Sequence, residues 1–159
     1  QAIIHLDGRM PRDFEPHPGV KKFLTGTPLV GADELASAIL DVWPKVDPQM
    51  LWDRHRSLTD FLITGLRQEC GPLGVVVNSP DDHARRGGNV SFSSPGAGSV
   101  VEALIDLGVI SSFRKPDAIR FGVSPLVIRH VDCFEAVARL KRVLAEGIWK
   151  QPKYAKVSV

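Results

Sequence analysis

Residues 114–125, RKPDAIRFGVSP, alternate between apolar and other side chains as a half-buried β-strand does. One face of this strand is apolar and predicts a core face: Ile119, Phe121 and Val123. The other face carries Arg120, followed by Gly122 and Ser124. Two interpretations of Arg120 stay open. It is an arginine on a solvated strand face, or a fixed fork of donors that a carboxylate approaches across the bare glycine.

The segments around this strand predict a small sheet with helices. Strands are expected in LGVVVNSP, NVSFSS, GVISSF and AIRFGVSP. A helix is expected from Ser99 to Gly108, and the last helix in HVDCFEAVARLKRVLAEG. Its candidate core residues are Val131, Phe134, Val137, Ala138, Leu140 and Leu144. The order strand, strand, helix, strand, strand, helix predicts an α+β fold, a sheet layered with helices.

Two helices are predicted before the sheet. The first begins near Gly31 or Asp33 and ends near Trp43. Its apolar residues have the spacing of a buried stripe: Leu35, Ala36, Ile39, Leu40 and Trp43. The second begins at Asp47-Pro48, a capping pair. It is expected to reach Cys70 and to be capped by Gly71, which gives a long connecting helix.

Composition excludes several classes of protein. The chain has 159 residues, 43% of them hydrophobic and 24% charged, which favours a folded domain over disorder. Its net charge of +2 gives no basic stripe for nucleic acid, and no apolar run is long enough to span a membrane. Cys70 and Cys133 lie far apart without a CxxC spacing, which predicts reduced thiols in a cytoplasmic protein.

Several short motifs are weak. Gly96-Ala97-Gly98 before a helix is a fragment of a phosphate-loop pattern, and a turn with an N-cap explains it better. The run from Asp81 to His83 is typical of a solvated loop. The histidines show no zinc spacing, and no serine lies in a GxSxG motif.

One turn near the N-terminus has a more specific character. Gly26-Thr27-Pro28 exposes a hydroxyl beside a glycine, a geometry that suits an anion such as phosphate. A plain turn explains the same residues equally well. The pattern alone leaves both interpretations open.

Longer stretches resemble one enzyme family. They are PGVKKFLTGTPLV, ELASAILDVW, RSLTDFL, ARRGGNVSFS, ALIDLGVISSFRKPDAIRFGVSPL and VDCFEAVARL. Together they resemble the C-terminal part of kynureninase, from about Phe14 to Leu144. FLTGTP and RKPDAIRFGVSPL carry the resemblance, because the helical stretches alone would not be specific.

The resemblance implies a function and a set of site residues. Kynureninases are homodimeric fold-type I enzymes that use pyridoxal 5′-phosphate (PLP) and hydrolyse kynurenine to anthranilate and alanine. It implies that Arg120 holds the substrate α-carboxylate, that Thr27 binds the PLP phosphate and that Gly26 lies near the aromatic end of the substrate. Arg86 is expected to organise the small domain. The implied organisation is 1–30, the tail of the PLP-binding domain; 31–71, connecting helices; and 72–159, the small C-terminal domain.

The chain also departs from the family pattern. The family's Gly-Trp-x-Gly-His segment corresponds to residues 5–9, HLDGR, without the tryptophan. Its PLY is Pro125-Leu126-Val127 here, and the last residue of its RGxQ is Asn89. No lysine lies in the family's PLP-lysine motif. We therefore expect no catalysis from these residues alone.

Three hypotheses follow. The first is a part of a kynureninase-type hydrolase, from a split gene or a cut chain, which needs a large PLP-binding half or a second subunit. A variant is part of another class V PLP enzyme, such as an aminotransferase or a carbon–sulfur lyase relative. The third is a stand-alone, non-catalytic module that binds a small amino acid through Arg120 or docks onto a partner. Exposed apolar surface near Phe23 should make the chain self-associate or bind a partner.

Overall fold

The structure, a computed structural model, describes residues 16, 18–23 and 30–155. It divides into two compact units, Gln1–Val46 and Asp47–Val159. The division into 1–30, 31–71 and 72–159 is based on the family's domains rather than on compactness, and it stays a prediction.

The first unit contains helix α1 (Val30–Leu40) and 3₁₀ turns at Gly19–Phe23 and Trp43–Lys45. The predicted helix therefore exists, but it ends three residues earlier than expected. The prediction of a buried stripe on this helix is wrong. Leu35 is 70% exposed and Ile39 is 64% exposed, because the described residues of this unit provide no second layer to cover them.

The second unit begins with helix α2 (Pro48–Gly65), capped as predicted by Asp47. The Asp47 carboxylate accepts a hydrogen bond of 2.7 Å from the backbone N–H of Gln49. α2 continues as a π-helical turn, Leu66–Cys70, and a 3₁₀ turn, Gly71–Leu73. Gly71 is the C-cap residue after Cys70, as predicted, but it keeps helical dihedral angles; the left-handed residue is Gly74, at φ +91°, which ends the 3₁₀ turn.

The four-stranded sheet has the order β1-β2-β4-β3, and every pairing is antiparallel. Its strands are β1 (Val76–Val77), β2 (Asn89–Ser93), β3 (Ser112–Arg114) and β4 (Ala118–Gly122). Helix α3 (Ala97–Asp106) lies between β2 and β3 in the sequence, and helix α4 (His130–Ala145) follows β4. The predicted element order and α+β class are confirmed.

One face of the sheet and the helices enclose the core. The predicted inner face of β4 is confirmed, because Ile119, Phe121 and Val123 are all buried. The Phe92 and Phe121 rings meet edge to face, with centroids 5.0 Å apart. The remaining core is contributed mainly by the helices, with Leu58, Leu62, Leu66, Val100, Leu104, Leu140 and Val143 among its buried residues.

The buried face of α4 differs from the predicted one. Val137 and Leu140 are buried as expected, but Phe134 is 58% exposed and Val131 is 50% exposed. Cys133 and Val143 are buried instead. α4 carries apolar residues on more than half of its circumference, and packing against α2 and α3 selects only one part of it.

Cys70 and Cys133 are both buried and free, as predicted for reduced thiols. Burial raises the pKa of the Cys70 thiol to about 11. Burial also raises the pKa of the Cys133 thiol. Both sulfurs therefore behave as small core side chains.

The two longest helices, α2 and α4, carry charged residues along their exposed faces. Among the described residues, no helix combines the length and the apolar character that crossing a membrane requires.

Candidate carboxylate-binding site

Arg120 lies at the centre of the outer sheet face. In the strand register it pairs with Ser91 on β2 and with Ser112 on β3. The backbone N–H of Val123 donates to the Gly88 carbonyl at 3.1 Å. Because antiparallel pairs alternate, this bond makes Arg120 and Ser91 a non-hydrogen-bonded pair, in which side chains lie closest together.

The Arg120 side chain is half-buried and is held at one atom. Its Nε–H donates to Ser112 Oγ at 3.4 Å. Among the described residues, Ser112 is the one hydrogen-bond partner of the Arg120 guanidinium. Its two terminal nitrogens are therefore available as a parallel pair of donors, the geometry that a carboxylate accepts.

Gly122 and Asn89 form the next row on the same face. A Cβ atom placed on Gly122 would lie 3.4 Å from Asn89 Oδ1. The Asn89 side chain thus extends over β4 where Gly122 has no side chain of its own. In the sequence, Asn89 stands out only as a departure from a motif, because alternation does not reveal which residues of two strands face each other.

The rest of this face is occupied by polar side chains that bond to one another. Asn78 Nδ2 donates to Ser93 Oγ at 2.8 Å. The Ser91 backbone N–H donates to Ser79 Oγ, also at 2.8 Å. Arg114 on β3 shares the face, but its Nη1 donates to the Phe113 carbonyl at 2.8 Å. Arg120 is therefore distinguished by its central position and by terminal nitrogens that have no partner among the described residues.

Arg86 is buried and makes its contacts within the domain. Its side chain is 3% exposed and lies 2.6 Å from Asp60 Oδ1. It also donates to His83 Nδ1 at 2.6 Å. These contacts join α2 to the loop before β2. They agree with the expectation that Arg86 organises the domain rather than contacting a substrate.

The weaker motifs have structural explanations. Gly96 is the N-cap of α3, at φ +64°. Asp82 caps a short 3₁₀ turn, and Asp81 pairs with Arg67 at 2.8 Å. No cluster of three or more His, Cys, Asp or Glu side chains that could hold a metal ion is present among the described residues.

The predicted residues Gly26 and Thr27 lie outside the described residues. Their assignment to the aromatic end of the substrate and to the PLP phosphate stays a prediction. Of the predicted site residues, the structure therefore places Arg120.

None of the described lysines has the environment expected of a lysine that forms a Schiff base with PLP. Every one of them is exposed, whereas an amine that forms a Schiff base is usually desolvated so that it loses its proton. Lys141 pairs with Glu69 at 2.7 Å and Lys153 with Asp106 at 2.8 Å, and hydrogen bonds to these carboxylates raise the pKa of both lysines. The described residues fit a carboxylate beside Arg120, and no step through the cofactor follows from them.

This arrangement of sheet and helices recurs in a solved structure. The solved structure of a NifS-like protein superposes with a TM-score of 0.56 at 17% sequence identity, covering 89% of this chain and 41% of that chain. The similarity concerns the fold.

The family model described as "Kynureninase C-terminal domain" matches residues 51–140, and the chain belongs to this family. The kynureninase of Burkholderia mallei (strain SAVP1) is 34% identical over 142 residues, covering 89% of this chain and 34% of that protein. The kynureninase of Pseudomonas fluorescens is 33% identical over 141 residues, with the same coverage. The chain thus spans about a third of the length of the curated relatives it matches.

Proposed function

We propose that the chain forms the substrate-carboxylate-binding part of a kynureninase-type hydrolase, which cleaves kynurenine to anthranilate and alanine. Arg120 anchors the α-carboxylate of the substrate. The observation that carries this proposal is the hydrogen bonding of the Arg120 side chain. Its Nε donates to Ser112 Oγ at 3.4 Å, its terminal nitrogens have no partner among the described residues, and Gly122, on the same face, has no side chain.

The role of Arg120 in the reaction is orientation. Two parallel N–H···O bonds fix both oxygens of a carboxylate and therefore the direction of the bonds at the adjacent carbon. When bound, PLP supplies the electron sink for cleavage of the substrate's carbon–carbon bond. The described residues do not hold its ring, so a companion part of the enzyme supplies that site. In this proposal Thr27 binds the PLP phosphate and Gly26 adjoins the aromatic end of the substrate.

The proposal includes a partner, either the large PLP-binding part or a second subunit, and a homo-oligomeric enzyme. An exposed apolar surface supports a partner. A groove between α2 and α4 is lined in part by Phe61 and Phe134, which are 42% and 58% exposed.

A second candidate function is a non-catalytic module that binds a small amino acid. It is favoured by one observation: the donors for a carboxylate are complete within the second unit and need no cofactor. The two functions differ in turnover, because a module binds an amino acid and leaves it unchanged.

The test uses Arg120→Lys, which keeps the charge and removes the fork. The matched control is Arg114→Lys, which makes the same change on the same sheet face. The chain is assembled with a PLP-bearing companion, such as the remaining part of the Pseudomonas fluorescens kynureninase, and kcat/KM is measured on kynurenine. Arg120→Lys should cost roughly 2–4 kcal/mol of transition-state stabilisation. Both variants should change the free energy of unfolding by no more than about 0.5 kcal/mol.

Equal and small losses of kcat/KM in the two variants would remove Arg120 from the site. Carboxylate-dependent binding of kynurenine without turnover by any assembly would favour the module instead.

A further inference from the structure

Asn89 lies on the same outer sheet face as Arg120, next to the space that Gly122 leaves open. It faces Gly122 across β2 and β4, and this row is a non-hydrogen-bonded pair like the row of Arg120 and Ser91. The Asn89 Oδ1 atom lies 3.4 Å from the position that a Gly122 Cβ would occupy. Any larger residue at position 122 would come between Asn89 and the rest of the face. The lack of a side chain at Gly122 therefore allows the Asn89 amide to lie over this part of the sheet face.

Asn89 is also a diagonal neighbour of Arg120. Diagonal positions on adjacent antiparallel strands are about 7–8 Å apart, which long side chains span easily. The distance suits a small anionic group placed between an amide and a guanidinium. Ser91 lies on β2 opposite Arg120 and two residues from Asn89, on the same face. Its short side chain leaves room between Arg120 and Asn89.

The amide of Asn89 offers a donor with no protein acceptor among the described residues. Its Oδ1 is the atom turned toward Gly122, so Nδ2 points to another side of the amide plane. The other asparagine on this face, Asn78, has its Nδ2 bonded to Ser93 at 2.8 Å. An amide N–H on the same face as an arginine whose terminal nitrogens also have no partner among the described residues can act as a second donor for the same anion.

We infer that Asn89 is a second substrate-binding residue: its Nδ2–H donates to one oxygen of the amino-acid α-carboxylate that Arg120 binds. The inference rests on the proposed function, because it uses the carboxylate at Arg120. Arg120 supplies the charge and the fork. Asn89 adds a third hydrogen bond, to one of the two oxygens that the fork already orients.

The experiment follows both side chains directly in the 159-residue chain. ¹⁵N spectra record the Arg120 Nε–H and the Asn89 Nδ2–H₂ signals while L-kynurenine is added. Kynuramine, the same molecule without the carboxylate, is the negative ligand. Asn89→Asp removes the donor at constant shape and places a negative charge beside the carboxylate. Asn89→Gln keeps the donor, and Asn78→Asp makes the same charge change one strand away.

We expect both signals to move with kynurenine and neither to move with kynuramine. Asn89→Asp should weaken binding about tenfold or more, which is the scale of one hydrogen bond to a charged group. Asn89→Gln and Asn78→Asp should each stay within about threefold of the parent chain, less than the loss of one such bond.

The outcomes separate the inference from the proposed function. If Arg120→Lys abolishes the shifts and Asn89→Asp does not weaken binding, Asn89 is not a substrate-binding residue and the role of Arg120 stands. If Asn78→Asp weakens binding as much as Asn89→Asp, the effect is one of general charge and the inference fails. If kynurenine moves neither signal, the carboxylate site itself is wrong and both ideas fail together.

Discussion

Arg86 and Asp60 form an ion pair whose two members lie in opposite environments. The Arg86 side chain is 3% exposed, the Asp60 side chain is 51% exposed, and the nitrogen–oxygen distance is 2.6 Å. A guanidinium has no acceptor atom, so His83 Nδ1, at 2.6 Å, must accept the second bond from Arg86 without carrying a proton itself. Asp60 is thus the charge that compensates a buried cation.

This asymmetry predicts unequal effects of removing the two partners. Asp60→Ala leaves a buried guanidinium without a countercharge and should lower the free energy of unfolding by about 2–4 kcal/mol. Arg86→Leu leaves a carboxylate that water reaches and should cost only about 1 kcal/mol. Urea denaturation measures both. Asp53→Ala, which removes an exposed partner of Arg56, should cost no more than about 1 kcal/mol. Equal losses from Asp60→Ala and Arg86→Leu would contradict the assignment.

Gly96 should not accept a side chain. Its φ of +64° costs other residues about 1–2 kcal/mol. A Cβ atom would also overlap the ring of Trp149, which adds roughly 1–3 kcal/mol. Gly96→Ala should therefore lower the free energy of unfolding by about 3 kcal/mol in total. In Gly87→Ala the new Cβ meets nothing within 4 Å, and the change should stay below about 1 kcal/mol.

A double-mutant cycle identifies the cause of the Gly96 effect. Trp149→Ala removes the ring, so Gly96→Ala should cost less in that background than in the parent chain. Additive losses would mean that the backbone conformation, and not the contact with Trp149, accounts for the whole effect.

Stability at acidic pH should depend on Asp106. Lys153 Nζ and Tyr154 Oη each donate to Asp106 Oδ2 at 2.8 Å. These bonds lower the pKa of Asp106 from 3.8 in the folded state. The stabilisation is present above 3.8 and is lost as pH falls through the lower folded value.

Asp106→Asn should therefore be less stable than the parent chain above pH 3.8, with a difference that shrinks below it. Chemical denaturation across this range measures the difference. Tyr154→Phe removes one of the two donors and should show a smaller form of the same behaviour. A difference that does not depend on pH would assign the effect to packing.

The 159-residue chain should not form a stable aldimine with PLP. Lys141 and Lys153 have pKa values raised by the Glu69 and Asp106 carboxylates, and the other described lysines are exposed. After incubation with PLP, desalting should remove the absorbance. Yellow colour retained at one PLP per chain, and fixed by borohydride at a single lysine, would contradict this prediction.

The sheet could be predicted because its information is local. Alternation along β4 identified the buried face, and turn residues separated the elements. The exposed faces of α1 and α4 could not be predicted in the same way. Leu35 and Phe134 have the periodicity of core residues, but periodicity shows only that a helix has an apolar face and does not say what packs against it.

The candidate site was predicted in part for a related reason. The pattern and the family resemblance both led to Arg120, since a strand-borne arginine beside a glycine is visible in one segment. Ser112 and Asn89 come from other strands, and their positions beside Arg120 and Gly122 depend on register, which no single segment encodes. The assignments of Gly26 and Thr27 remain predictions.

β3 begins at Ser112, opposite Arg120, so β4 is bonded along both edges up to Arg120 and along one edge beyond it. The consequence concerns hydrogen exchange. The Arg120 amide should exchange with solvent only through a large opening of the sheet, whereas the Gly122 amide, which points away from β2, should exchange through small local fluctuations. Arg120 thus lies at the end of the part of β4 that is hydrogen-bonded along both edges. The backbone beyond it, at Gly122, can adjust to a ligand while Arg120 keeps its position.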